Sequence, residues 1–260
     1  MAVGGSLSGW RVLVTRPIEQ AAPLVDALRE AGAEPIAYPT IAVAPPPSWK
    51  AFDAAVTRLR ASDDGRAAYD WIVFTSPSAT RLALDRAPEL ASLLGVPGAP
   101  GVAAVGSGTA GALVARGVRV TLVPADQRQE GLVAELARMR PGARVLFPQA
   151  VGGRELLRDA LARAGAIVDV VAVSRTIALD GLAAPPPFDV AIFASPSALR
   201  SFVAGPGAAA LAEKVVAVIG PTTREAARKV GVPVHVMAAT PSVAGLVAAL
   251  GAHSVHRARG

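Results

Sequence analysis

The feature that most constrains the fold is an internal duplication. RVLVTRPIEQAAPLVDALREAGAEPIAYPTIAV, starting at Arg11, is matched by RVLFPQAVGGRELLRDALARAGAIVDVVAVSRTIAL, starting at Arg144. DWIVFTSPSATR from Asp70 is matched by DVAIFASPSALR from Asp189, and VAAVGSGTAGALVARGVRVTLVP from Val102 by VAVIGPTTREAARKVGVPVHVM from Val216. The order is the same in both halves, so whatever one half folds into, the other must be able to fold into too. Each unit of about 110 to 130 residues has an ordinary domain size.

Within each half, short runs rich in Val and Ile alternate with helix-period segments. This is the signature of an α/β fold in which a mostly parallel sheet is covered on both faces. Strands are expected at residues 12–15, 35–38, 71–75, 102–105, 119–123 and 145–147, then at 167–173, 190–194, 215–219 and 234–237. Between them, AAPLVDALRE (21–30) and ELLRDALARA (155–164) space their apolar residues three and four apart, which predicts amphipathic helices. The proline clusters Pro45–Pro47 and Pro185–Pro187 mark connections.

With 52% apolar residues in 260, the chain can cover a sizeable core. No stretch approaches the roughly 18 uninterrupted apolar residues of a membrane span, and Met1 to Trp10 lacks the layout of a signal peptide. A cytoplasmic location is expected. There is no cysteine, and His235, His253 and His256 are scattered, so neither a disulfide framework nor a metal site is expected. The net charge of +6 points to an anionic partner. Arginines spread singly along helices and only 4% aromatics speak against nucleic acid and a membrane surface, the spread fits solvated helix faces, and charge alone identifies no ligand.

In parallel sheets, ligands bind where strands end and helices begin, because unpaired backbone N–H groups and the positive helix end point there. Four such places carry small hydroxyl and glycine residues: Thr75-Ser76-Pro77-Ser78, Gly106-Ser107-Gly108-Thr109, Ser195-Pro196-Ser197 and Gly220-Pro221-Thr222-Thr223. Any one of them reads as plain helix capping. Their repetition in both halves is what suggests a site. Gly106-x-Gly108-x-x-Gly111 also resembles a dinucleotide fingerprint, with Asp126 as the acid, but its duplicated counterpart keeps only Gly220. His235, in an expected strand, reads as a packed residue. No Gly-x-Ser-x-Gly elbow, Walker lysine or thiol nucleophile occurs. An enzyme built this way would act mainly by positioning a reactive substrate.

Taken in order, the motifs Val12-Leu13-Val14-Thr15-Arg16-Pro17, Phe74-Thr75-Ser76-Pro77-Ser78, Val105-Gly106-x-x-Thr109, Phe193-Ala194-Ser195-Pro196-Ser197, Ile219-Gly220-Pro221-Thr222-Thr223 and Ala239-Thr240-Pro241-Ser242 resemble those of uroporphyrinogen-III synthases. The resemblance runs from Arg11 to Leu250. It implies two α/β domains joined by a two-stranded connector, with the active site in a cleft between them. Domain one would comprise residues 1–40 plus 177–260, domain two 44–172, and the connector strands about 38–43 and 173–179.

The resemblance further implies a lyase of haem biosynthesis that needs no cofactor. It would cyclise hydroxymethylbilane, an octacarboxylate, with loss of water and inversion of ring D. Carried over by position, Thr223 and Thr109 match cleft threonines, and Ser76 and Ser195 match cleft serines. Thr75, Ser78, Gly106, Ser197 and Thr222 lie in the same turns, and Arg16 and Arg154 are candidate carboxylate contacts. The chain departs from the family in its second connector strand, Val173-Ser174-Arg175-Thr176, where Ser174 stands in place of a common tyrosine. Serine is a poor proton donor. Thr223 and Ser174 are the candidate catalytic positions. A monomer is expected, with a transient meeting with the bilane-forming enzyme as its one macromolecular contact. The rival readings are a non-catalytic ligand-sensing regulator of the same fold and a nucleotide-dependent enzyme resting on Gly106 to Gly111.

Overall fold

The structure is a computed structural model that describes residues 7–61 and 68–257. Most of the opening segment read above for a signal peptide, and the side chain of His256, lie outside the described residues. The elements run β1 (Arg11–Val14), α1 (Ile18–Glu30), β2 (Glu34–Ala37), β3 (Ile41–Ala44), α2 (Lys50–Arg60), β4 (Trp71–Phe74), α3 (Pro77–Arg86), α4 (Leu90–Leu93), β5 (Gly101–Ala104), α5 (Ser107–Val114) and α6 (Gln129–Leu136). They continue with β6 (Arg144–Ala150), α7 (Leu156–Arg163), β7 (Ile167–Ala178), β8 (Val190–Phe193), α8 (Pro196–Ala204), β9 (Val215–Val218), α9 (Pro221–Lys229), β10 (Val236–Met237) and α10 (Val243–Arg257).

The chain divides into two compact units. One is formed by the chain up to Ala42 and from Thr176 onward, the other by Val43–Arg175. The two crossings fall inside β3 and inside β7, which are neighbours in the second sheet.

In the first unit the sheet order is β10-β9-β8-β1-β2, every pair parallel. Alternation along the strands sends Val12, Val14, Val190 and Ile192 to the face covered by α1 and α10, and Leu13, Ala191, Phe193 and Val218 to the face covered by α8 and α9. The second unit repeats the plan in β7, β6, β4 and β5, which pair in parallel, and adds β3 at the edge. Its sheet order is β3-β7-β6-β4-β5, with α2, α3 and α5 on the Ile72, Phe74 and Leu146 face and α6 and α7 on the Val73, Val145 and Phe147 face. Where all strands of a sheet are parallel, every strand-to-helix turn emerges along one edge, the carboxyl edge.

The duplication is visible in individual hydrogen bonds. The backbone N–H of Arg11 donates to Asp189 Oδ2 at 3.0 Å, and that of Arg144 donates to Asp70 Oδ2 at 2.8 Å, so the matched Asp and Arg of each half meet at the amino edge. The Val216 amide donates to His235 Nδ1 at 3.0 Å, and the matched Val102 amide to Thr121 Oγ1 at 3.1 Å. In both halves a side chain thus takes a ladder bond that main chain would otherwise fill.

The strand expected over 119–123 is reduced to a single bridge, Ala103 to Leu122, and the one expected over 234–237 to the two-residue β10. The first connector strand also starts later than expected, at Ile41. Pro39 has no N–H, and the Thr40 amide and hydroxyl donate to Thr15 O and Ala198 O, at 3.3 and 2.9 Å, instead of joining a ladder. Strand β6 runs on through Pro148 because its pairing with β4 ends at Leu146, so the missing donor is not needed.

The repeat also reaches further than the three matched segments: Gly131-Leu132-Val133-Ala134 in α6 answers Gly245-Leu246-Val247-Ala248 in α10. A Cβ on Gly131 would lie 2.0 Å from Asp126 O, and one on Gly245 2.3 Å from Thr240 O. Each glycine lets a loop carbonyl fold back against the first turn of its helix.

Candidate active site

The carboxyl edge of the first sheet gathers the ends of β1, β8, β9 and β10. Ser195 is the N-cap of α8, its backbone extended and its Oγ accepting from the Ala198 amide at 3.2 Å; Pro196 takes the first helical position and Ser197 follows, partly buried. Gly220 is the N-cap of α9, and Pro221 again occupies the first position. Thr222 is exposed, whereas Thr223 is 2% exposed. First-turn amides have no acceptor within their own helix, so the N–H groups at Thr222 and Thr223 belong to the set a helix start can offer an anion.

Arg16 follows β1 in this row. It is partly buried and has neither an ion pair nor a hydrogen bond among the described residues. Burial alone pushes its pKa below the ordinary arginine value. Arginine stays charged all the same, so a partly desolvated cation stands here uncompensated.

The carboxyl edge of the second sheet uses its polar groups differently. Ser76 caps α3, accepting from the Ala79 amide at 3.4 Å, with Thr75, partly buried, before it. The buried Ser78 hydroxyl accepts from Arg81 at 3.2 Å. At α5 the Ser107 amide and hydroxyl both donate to Gln127 Oε1, at 2.9 and 3.2 Å. A Cβ on Gly106 would lie 2.7 Å from that oxygen, so a side chain there would push the end of Gln127 off its bond to Ser107. Gly111 has open space where a Cβ would sit, and Asp126 is paired with Arg128 at 2.8 Å. The dinucleotide-like glycine spacing thus has a local cause at its first position and none at its third.

Thr109 is 2% exposed, like its counterpart Thr223. Arg154 is exposed and bound to Glu130 at 2.9 Å. Ser174 is 2% exposed on β7, opposite Ala150 at a bulge, and its carbonyl accepts from the Val151 amide at 2.8 Å. His235 sits at the start of its edge strand, engaged with Val216 and away from the carboxyl edge. Gln127 is the residue that sequence reasoning missed. Its role as a cap from another loop has no local signature, although the match of Ser107 with Pro221 was there to be questioned.

Arg16, Ser195, Ser197, Thr222 and Thr223 are therefore brought to one edge, and Thr75, Ser76, Ser78, Gly106, Thr109, Arg154 and Ser174 to the carboxyl half of the other sheet. A family model described as uroporphyrinogen-III synthase HemD matches residues 22–248. The chain belongs to this family. The uroporphyrinogen-III synthase of Synechococcus elongatus is 36% identical over 164 residues, a match covering 62% of this chain and 59% of that protein. The uroporphyrinogen-III synthase of Chlorobaculum parvum is 28% identical over 242 residues, covering 87% of this chain and 92% of its own length. In fold, the chain is similar to the crystal structure of uroporphyrinogen-III synthetase from Helicobacter pylori, with a TM-score of 0.56 at 16% identity, covering 92% and 97% of the two chains. No helix among the described residues is long and apolar enough to cross a membrane.

Proposed function

We propose that this chain is a uroporphyrinogen-III synthase that cyclises hydroxymethylbilane with loss of water and inversion of ring D. The observation that carries the reading is Arg16: a partly buried guanidinium without a partner, in a row of helix starts whose first-turn amides lack acceptors. Such a row suits a ligand bearing several carboxylates. Family membership makes hydroxymethylbilane that ligand.

The linear bilane also closes unaided, to the product without inversion. The protein's task is to hold ring D so that its substituted carbon meets the electrophilic azafulvene left when the hydroxymethyl group and the pyrrole N–H together lose water. Arg16 and the helix-start amides of the first unit would fix carboxylates, with Ser195 and Ser197 beside them, and Ser76 would offer the same kind of helix start in the second unit. The buried hydroxyls of Thr223 and Thr109 would each steady the helix start of its own unit. Ser174 is a weak acid and 2% exposed, so it would act by shaping β7 rather than by giving up a proton. No cofactor enters this scheme. We read the protein as a cytoplasmic monomer.

The test is a coupled assay in which hydroxymethylbilane is supplied by its synthase and the porphyrin isomers are separated after oxidation. Isomer III in excess of isomer I, made at a rate proportional to protein, is the expected result. Isomer I alone, at the rate seen without protein, would overturn the reading.

A further inference from the structure

Helices ordinarily place acids in their first turn, where the helix dipole rewards them, and cations in their last. Helices α8 and α9 depart from this at their starts. Neither has an acid in its first turn, α8 puts Arg200 at its fifth residue, and α9 puts Arg224 at its fourth. Both arginines are exposed, and neither forms an ion pair among the described residues. The nearest acid in sequence, Glu225, is held by Arg228 at 2.8 Å. The one acid in the first turn of α1, Glu19, pairs with none of them.

Strands β1, β8 and β9 are consecutive in the sheet, about 4.8 Å from neighbour to neighbour. The turns that carry Arg16, Arg200 and Arg224 therefore leave adjacent strands along one edge. Helical side chains lean toward the helix N-terminus, which here means toward that edge. In the second unit the comparable cations are already spent. Arg128 is on Asp126, Arg154 on Glu130, and Arg158 on Glu155 and Asp159; Arg81, which donates to the neutral Ser78 hydroxyl, and Arg175 are the exceptions.

We propose that Arg200 and Arg224 join Arg16 in a carboxylate-binding row on the carboxyl edge of the first sheet, so that this unit supplies most of the grip on the substrate's acid groups. The proposal rests on the synthase reading and deepens it by assigning the carboxylates to one unit. A row of this kind carries a cost in the free protein, since like charges stand together at the positive ends of two helices, and a polyanion relieves it.

The test compares R200Q, R224Q and the double variant with R163Q, an exposed arginine in the last turn of α7. Three readouts are needed: initial rates with hydroxymethylbilane at low and raised ionic strength, polarisation titrations with uroporphyrin III (eight carboxylates) and coproporphyrin III (four), and thermal unfolding. Exposed charge pairs are weak, so KM and Kd should rise about three-fold for each single variant and about ten-fold for the double, with kcat within about two-fold. The effect should shrink as salt is raised and be larger for uroporphyrin than for coproporphyrin. The Tm should hold, and R200K with R224K should keep most of the affinity.

Wild-type KM and Kd in the double variant, or equal weakening in R163Q, would overturn the row while leaving a wild-type synthase active. If the wild-type protein makes no isomer III but binds uroporphyrin III with this salt and arginine dependence, the synthase reading falls and the row stands.

Discussion

The two carboxyl edges come from one repeated unit, yet they treat their polar groups in opposite ways. At the first helical position of α9, Pro221 has no N–H to satisfy; at the matched position of α5, the Ser107 amide is satisfied by Gln127. Arg16 has no partner among the described residues, whereas Arg154 on the other edge is held by Glu130. Duplication has preserved the backbone frame down to single hydrogen bonds at Asp70 and Asp189, and left the side chains to decide which edge is open to an anion. Shared architecture is thus a poor guide to which half does the binding. The state of pairing is a better one.

The largest effect should come from breaking what the two edges share. Gly131→Ala and Gly245→Ala each force a methyl group into a backbone carbonyl, at 2.0 and 2.3 Å before relaxation. Backbone cannot swing aside as a side chain can, so each should cost about 1–3 kcal/mol of stability, measured by denaturant unfolding. The comparison predicts a further difference. In the fraction that stays folded, Gly245→Ala should weaken uroporphyrin III binding more than Gly131→Ala, because it disturbs the unpaired edge. Equal weakening would mean that the edges share the ligand evenly.

An effect of comparable size, read in substrate binding rather than in stability, separates the two arginines named from sequence. Arg16→Ala removes a partly desolvated cation that gives up no partner. If it meets a carboxylate, KM should rise by roughly ten- to 100-fold, the range of a charge-assisted hydrogen bond of about 1.5–3 kcal/mol. Arg154 must first leave Glu130, so Arg154→Ala should change KM less than about three-fold. Steady-state rates on both variants decide it. A larger effect at Arg154 would reverse the assignment of the edges.

Much of the fold was legible because parallel sheets covered on both faces write themselves as Val/Ile runs between amphipathic helices, as in RVLV (Arg11–Val14) followed by α1. The misses have particular causes. Residues 119–123 have strand composition, but Thr121 Oγ1 takes the bond that a longer ladder would need. The start of the first connector strand was obscured by Thr40, whose bonds to Thr15 and Ala198 depend on residues far away in sequence. For the site, the serine and glycine helix starts were legible because caps have a fixed chemistry. The partners of Arg16 and Arg154, and the reach of Gln127 to Ser107, were not, because pairing between loops is set by tertiary structure and has no period or spacing.

The smallest effect tests whether Gln127 is only a cap, and it uses the duplication as its own control. Gln127→Ala leaves the Ser107 amide without its acceptor and should cost about 0.5–1 kcal/mol, the usual worth of a capping interaction. Ser107→Pro copies the first unit: Gly106 has φ −174° and ψ 178°, nearly the values of Gly220 (178° and −178°), which already precedes a proline. With no amide at that position, Gln127 has nothing to cap. In the Ser107→Pro background, Gln127→Ala should therefore cost close to nothing, and a double-mutant cycle read by denaturant unfolding should return a coupling of about the single cap. If Gln127→Ala costs the same in both backgrounds, the side chain stabilises the turn by packing beside Gly106, and the contrast drawn between the two helix starts loses its basis. If it costs the expected amount but also tightens uroporphyrin III binding, the amide freed at α5 has begun to do what the first unit's edge does, and the closed edge has been opened by one residue.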